Sequence, residues 1–552
     1  MILIVLTNRR GPSGSGILSA LTTGLFALAS IACLGVNANG AENLALRRPY
    51  KLAPAPDYSY CTDPGDATDL TDGKRAEPPD NKALWVMPGT VGWGQSGDRF
   101  ITVEFDLGER CEIEGVSFST VAGASDVTFP LSVMVFLGDD GERFDFVGDV
   151  LTEAVSQETY VVHQFRLEGL KSAGRHIRLV VLRGGFYCFC DEIEILGTRG
   201  TKSESVPRSL SREQADKLAR ERAPLARQNQ SSLTVLRLAR ERLAKESGRF
   251  PQAEQQARVA LDALQAKILA RTTAEPVDYR RGVPYSALDR EIGQAIGTYH
   301  QAARREGSVV TWAAHPYAPL RPFDGPEGYE PPGDNPVDAE PAELATRLMA
   351  GEWGELALNL TNASPSARRA AVTVESLTWE QQPVGTDAVR LFEVVFVDAF
   401  GFRTVADALS PLAGPLELPA GMTRQFWLSI GTRGLQPGAY TGALRIEVAE
   451  EPARQVPFRF EVASVEMPEQ PALMTANFSY HHWPVAAKFP QDFARDQREH
   501  YTNAQVVPPQ AMPFPKADTA GNFTEPLNFQ ALDKYLALQP ETRLWILWPG
   551  FE

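Results

Sequence analysis

Cysteine, histidine and long apolar runs are scarce in this chain, and each scarcity removes a class of function. Five cysteines and seven histidines in 552 residues, with no C-x-x-C spacing, argue against a zinc site. Neither G-x-x-x-x-G-K nor G-x-S-x-G occurs, and no Ser-His-Asp arrangement is recognisable. The common phosphate cradle and nucleophile elbow are therefore absent. Basic residues are also in deficit: 54 Lys and Arg against 69 Asp and Glu leave a net charge of −15. Phosphate backbones need a concentrated basic face, so nucleic acid is excluded as a partner. The run from Ile17 to Val36 is the one that comes near bilayer-spanning length.

That run follows Arg9 and Arg10 and ends at Val36-Asn37-Ala38, a small-residue cleavage site. It reads as a signal peptide over residues 1–38, which predicts a secreted, periplasmic or cell-surface protein. A membrane is a partner only where this segment stays uncleaved. Cys33 follows Ala29-Ser-Ile-Ala32, a poor lipoprotein box. Cleavage leaves Cys61, Cys111, Cys188 and Cys190, an even count that in an exported protein reads as one or two disulfides. Buried free thiols are the main alternative. With 43% apolar and 22% charged residues the composition is ordinary for globular proteins, and 552 residues imply several cores.

The first core lies between Asn43 and Gly197. Ile101, Val103 and Phe105 alternate with Thr102, Glu104 and Asp106, the period of a half-buried strand. Val116 with Phe118, then Ile177 with Leu179, repeat the pattern between turn-rich breaks. Several such strands in this span predict an antiparallel sandwich or jelly roll. The landmarks Asn43-Leu-Ala, Asp72-Gly73, Asp106-Leu-Gly108 and Glu192-Ile-Glu-Ile-Leu-Gly197 fall in an order that resembles a discoidin (coagulation-factor type C, galactose-binding-like) domain. The resemblance implies a jelly roll whose loops at one end bind glycans, less often lipids or proteins, and a structural Ca²⁺ near the Asp-Gly loop.

On that fold, Arg183, Phe186 and Tyr187 in the last loop, with Tyr58, Tyr60 and Trp85 from earlier loops, are the candidates for carbohydrate binding. Aromatic faces suit sugar C–H groups, and an arginine can reach hydroxyls. For Ca²⁺, Asp63, Asp66, Asp69 and Asp72 crowd one loop, and the resemblance sets Glu192 against it. Asp72, Glu192 and Asp69 are the expected ligands. No organic cofactor is expected.

Residues 203–307 are rich in Arg, Ala, Glu and Gln and read as a helical connector. Ser211 and Gln214 form a capping-box pattern, and the helix they open is expected to break or kink at Pro224. A second helix begins at Pro251 with Ala257, Leu261, Leu264 and Ile268 on one face. A third starts at Ser286 with Leu288, Ile292, Ile296 and Tyr299 inward. Residues 308–344 read as a proline-rich linker. Alternation returns over 345–467, where about seven strands predict an immunoglobulin-like sandwich, with Tyr440 as a corner tyrosine. From 468 onward strand and helix alternate, as in the opening of a (β/α)₈ barrel, but the sequence ends far short of the roughly 250 residues such a barrel needs.

Pro419-Ala-Gly-Met-Thr-Arg-Gln-Phe-Trp-Leu428 and Leu435-Gln-Pro-Gly-Ala-Tyr-Thr-Gly442 resemble the sandwich that precedes the barrel in family-123-like glycoside hydrolases. This implies retaining, acetamido-assisted hydrolysis of N-acetylhexosaminides by an Asp-Glu pair that the sequence does not reach. His481, His482, Trp548 and Glu552 are then the candidates for a barrel subsite. The expected whole is multidomain and mainly β, directed at polysaccharide or glycoconjugate, as a hydrolase fragment or as a non-catalytic binding protein.

Overall fold

A computed structural model describes residues 41–78, 82–94, 97–201, 207–276, 285–303, 308–318, 320–326, 344–399, 403–468, 472–477 and 484–547. Strands make up 41% and helices 24%, so the mainly β expectation holds. The first domain contains β1 (Glu42–Asn43), β2 (Tyr50–Ala53), β3 (Val91–Trp93), β4 (Phe100–Ala122), β5 (Ser132–Gly138), β6 (Arg143–Asp149), β7 (Val161–Leu182), β8 (Cys188–Cys190), β9 (Glu192–Thr198) and β10 (Leu210–Ser211).

Two long strands make this sandwich. The first half of β4 pairs with β2 and with the second half of β7, which continues to β5 and β6. The second half of β4 pairs with β9 and the first half of β7. Register shifts between Asp106 and Cys111 and between Ile113 and Gly115 let β4 bend from one layer into the other. The alternating residues Val103 and Phe105 of one half, and Val116 and Phe118 of the other, then meet Phe165, Leu179, Ile193 and Ile195 in one core.

The expected disulfides do not form, and all four cysteines are buried free thiols. Strand geometry explains this. In the ribbon of β3 and β8, Gly92 pairs with Phe189, and Cys61 packs on that face; a Cβ on Gly92 would lie 2.7 Å from its sulfur. Cys188 and Cys190 alternate to the opposite face and enter the main core. Extended backbone holds the Cβ atoms of residues two apart at roughly 6.6 Å, beyond the roughly 4 Å a disulfide spans. Cys111 sits at the bulge of β4, its thiol 3.5 Å from the Glu109 carbonyl.

The connector is three helices: α1 (Arg212–Lys245), α2 (Pro251–Leu269) and α3 (Ala287–Ala303). The capping box is present, with Gln214 N donating to Ser211 Oγ at 3.2 Å and Ser211 N donating to Gln214 Oε1 at 2.8 Å. Contrary to the expected break, α1 runs 34 residues through Pro224. Packing on both sides of the proline holds it. Ala215 and Ala219 lie on the outward side chains Met134, Phe136, Phe144 and Val180 of the first sandwich. Leu233, Leu236, Ala239 and Leu243 join Leu261, Ile268, Ile292, Ile296 and Tyr299 in the bundle. Burial on this scale offsets the roughly 3 kcal/mol an interior proline costs.

The second sandwich is made of β11 (Val309–Ala314), β12 (Leu344–Ala350), β13 (Trp353–Asn362), β14 (Arg368–Trp379), β15 (Gln382–Pro383), β16 (Val389–Ala399), β17 (Arg403–Pro411), β18 (Leu416–Leu418), β19 (Thr423–Gly431), β20 (Gly438–Val448) and β21 (Arg454–Glu466). One sheet runs β11-β13-β19-β16-β17; the other runs β12-β21-β20-β14-β15, with β18 on β14. Their inner faces share one core that includes Leu358, Phe426, Leu428, Leu444 and Phe458. Two boundaries differ from expectation: Val309–Ala314, placed in the linker, is an edge strand, and Leu320 and Phe323 are buried with the helical bundle. Tyr440 does bond back, its hydroxyl donating to the Gln436 carbonyl at 3.0 Å. Helix α3 docks here through glycines. A Cβ on Gly297 would lie 2.1 Å from the Ser364 carbonyl, and one on Gly293 2.3 Å from that of Ala420.

The last region holds β22 (Thr475–Asn477), α4 (Pro484–Lys488), α5 (Pro490–Glu499), β23 (Thr502–Val507), α6 (Gln530–Leu536) and β24 (Leu544–Leu547). The three strands are parallel, with β23 central and fully buried from Ala504 to Val507. Tyr501 ties this unit to the sandwich by accepting from Trp353 N at 3.2 Å. Among the described residues no helix is long and apolar enough to cross a membrane.

Candidate functional site

The ring cluster of the first sandwich follows from the β3–β8 ribbon. Phe189 points away from the main core because its neighbours Cys188 and Cys190 point into it. With glycine opposite, its ring has room to become a hub. Tyr58 meets it edge-on at 4.9 Å between ring centres, Trp85 lies at 5.9 Å, and Tyr187 stacks at 6.2 Å. Tyr58 also contacts Tyr187 and Tyr60, each at 5.6 Å.

Exposure sorts these rings into two layers. Tyr60 is 73% and Phe186 64% exposed, Tyr58 and Tyr187 are half-buried, and Trp85 and Phe189 lie beneath. Burial, followed by the neighbouring Tyr187, raises the Tyr58 phenol above its ordinary pKa. Arg183 is only 4% exposed, and its Nη1 donates to the Phe186 carbonyl at 2.8 Å. It fixes the backbone that presents Phe186, and Trp85 is a floor for the cluster. Tyr160, which has no sequence signal, adds to the site: it meets Trp85 edge-on at 5.6 Å, and its hydroxyl accepts from Leu84 N at 3.0 Å.

The acidic residues divide into two groups. Glu192, the first residue of β9, is 2% exposed, and neither carboxylate oxygen finds a hydrogen-bond partner among the described residues. Burial, with the charge of Asp72 next, pushes its carboxyl up to about 8; the nearby Gly73 N–H only partly offsets this. A buried, unmatched carboxylate beside a second acid fits a cation better than solvent. Asp72 and Glu192 are the pair that would hold a structural cation of the kind the discoidin resemblance implies. Asp69 instead groups with Asp63 and Asp66, one carboxylate oxygen of each lying within 4.8 Å of the others. His481, His482, Trp548 and Glu552 lie outside the described residues.

No protein-family model and no curated protein sequence matches this chain. Among solved structures it is similar to a family 123 glycoside hydrolase from Clostridium perfringens, at 10% identity and a TM-score of 0.34. That match covers 42% of this chain and 45% of the other, so it spans under half of the enzyme. A Streptococcus pneumoniae fucose binding module matches at 19% identity and a TM-score of 0.20, covering 29% of this chain and 97% of the module. The family 32 CBM from C. perfringens NanJ, solved in complex with galactose, matches at 10% identity and 0.20, covering 28% and 97%.

Proposed function

We propose that this is an exported, carbohydrate-directed protein whose jelly roll binds glycans through the rings of Tyr58, Tyr60, Phe186 and Tyr187. The observation that carries the reading is the convergence of Tyr58, Tyr60 and Tyr187, with the exposed Phe186 next to Tyr187 in the chain. Exposed aromatic faces suit the apolar C–H faces of pyranose rings, and tyrosine hydroxyls supply polar contacts at little entropic cost. Arg183 positions the Phe186 loop, and Ca²⁺ held by Asp72 and Glu192 braces the neighbouring turn. The charge it supplies is structural; no bond is made or broken there.

The parallel order β22-β23-β24 with intervening helices favours a second element of the reading, a hydrolase-type barrel that opens after residue 468. The glycan-binding module would then present an N-acetylhexosaminide-bearing polymer to that barrel. The non-catalytic alternative keeps the same binding module and releases no sugar.

The test is retention of the purified chain on immobilised galactosides, fucosides and N-acetylhexosaminides, with sugar release assayed in parallel. Retention that Tyr60→Ala weakens supports the reading. Absence of retention on every glycan class overturns it.

A further inference from the structure

A second acid group in the jelly roll is unused by the glycan reading and separate from Glu192. Two short 3₁₀ turns, Pro64–Ala67 and Asp69–Thr71, follow directly on the loop that carries Tyr58 and Tyr60. They bring Asp63, Asp66 and Asp69 together, with one carboxylate oxygen of each inside a 4.8 Å span. The trio wraps around Gly65, where a Cβ would meet oxygens of Asp69 and Asp63 at 2.7 and 2.8 Å. Only a residue without a side chain leaves that space open.

The decisive group is Asp66. It is 8% exposed, and its Oδ1 is buried with no hydrogen-bond partner among the described residues. Asp63 is partly engaged, accepting from Gly65 N at 2.5 Å. Lys74 pairs with Asp72 at 3.1 Å. Burial first, and then Asp63, raise the Asp66 carboxyl to about 6; burial, Asp66 and Asp63 together push the adjacent Cys61 thiol up to about 12. A buried carboxylate facing two others, without a counter-charge, is costly to fold. A cation among them reverses the sign of that cost.

We propose that Asp63, Asp66 and Asp69 hold a hard divalent cation of the Ca²⁺ type, at a site distinct from the Asp72–Glu192 pair, and that it fixes the loop bearing Tyr58 and Tyr60. Three carboxylates and neighbouring peptide oxygens are the donors that Ca²⁺ prefers, and the Cys61 thiol is too buried and too high in pKa to favour a soft metal. The effect on the rings rests on the glycan reading; the site itself does not.

The experiment is calcium titration of the metal-stripped full chain by calorimetry, with equilibrium dialysis as a check on stoichiometry. Two bound Ca²⁺ per chain are expected. Asp66→Asn and Asp63→Asn should each lose one, and Glu192→Gln should lose the other. If the single-acid variants retain both ions, or the wild type binds one ion that only Glu192→Gln removes, the proposal falls and the Glu192 reading survives. One ion lost only with Asp66→Asn keeps this proposal and sinks the Glu192 reading; no binding at all sinks both. Folding is controlled by thermal melts without metal. There Asp66→Asn should melt no lower than wild type, because it removes repulsion; a lower melt would make Asp66 a packing residue and overturn the assignment. Glycan retention is read separately: retention unchanged by Asp66→Asn removes the link to the rings and leaves the ion site standing.

Discussion

The two sandwiches of this chain differ in what they leave unfinished. In the second, no buried carboxylate oxygen is left unmatched among the described residues, although Nε of Arg424 and of Arg368 are. Arg424, buried on β19, donates to Glu393 at 2.9 Å and to the carbonyls of Glu417 and Val394 at 3.2 and 3.4 Å. Gln425 joins Asn359 to Trp427, and Thr361 joins Trp312 to Thr423. In the first sandwich, by contrast, Glu192 and Asp66 are buried with unmatched oxygens, and Tyr58, Tyr60 and Tyr187 meet with Phe186 exposed beside them. Self-satisfied polar networks stabilise a scaffold; unmatched acids and exposed rings need something from outside. On the proposed reading, the comparison sets a scaffold sandwich beside a binding one.

Substitutions can break that division, and the largest effect should come from the finished side. Arg424→Ala leaves Glu393 without its buried partner and should cost about 3 kcal/mol or more in denaturant unfolding, while glycan retention stays the same. Gly297→Ala forces a methyl against the Ser364 carbonyl and should destabilise α3 docking by about 1–3 kcal/mol, seen as a lower melting temperature. On the unfinished side the effect depends on pH and ions. The Glu192 carboxyl is raised in the folded state, so the folded chain binds the extra proton and gains stability at low pH. In EDTA, thermal stability should therefore fall as pH rises from the ordinary carboxyl range to about 8, by on the order of 5 °C. Ca²⁺ or Glu192→Gln should flatten that slope. Smallest in stability is Tyr60→Ala, within about 0.5 kcal/mol because the ring is exposed, yet it should weaken glycan binding by roughly fivefold to tenfold.

The sequence revealed the strands with clean alternation and the helices with clean caps. Ile101 to Phe105, Leu356 to Leu360 and the stripe Ala257, Leu261, Leu264, Ile268 are buried as the periods require. Pro224 does not interrupt α1, because two cores grip the helix on either side, which a propensity rule does not register. The edge strand Val309–Ala314 was hidden by the prolines that follow it, although its own residues are apolar. At the site, the aromatic run Phe186 to Phe189 was legible, but its layering was not. Which ring becomes hub and which becomes surface is set by Gly92 standing opposite Phe189, a long-range pairing. The same alternation turned two expected disulfide partners into core residues. Tyr160 gave no local signal, because its edge contact with Trp85 depends on where β7 begins.

The central claim is that the ring-bearing end of the jelly roll is a glycan-binding surface, and the direct measurement is the affinity of the full chain for immobilised glycans before and after Tyr60→Ala with Phe186→Ala. The account predicts retention by wild type and run-through by the doubly substituted chain, with matching thermal melts. Equal retention by both, at equal stability, would contradict it.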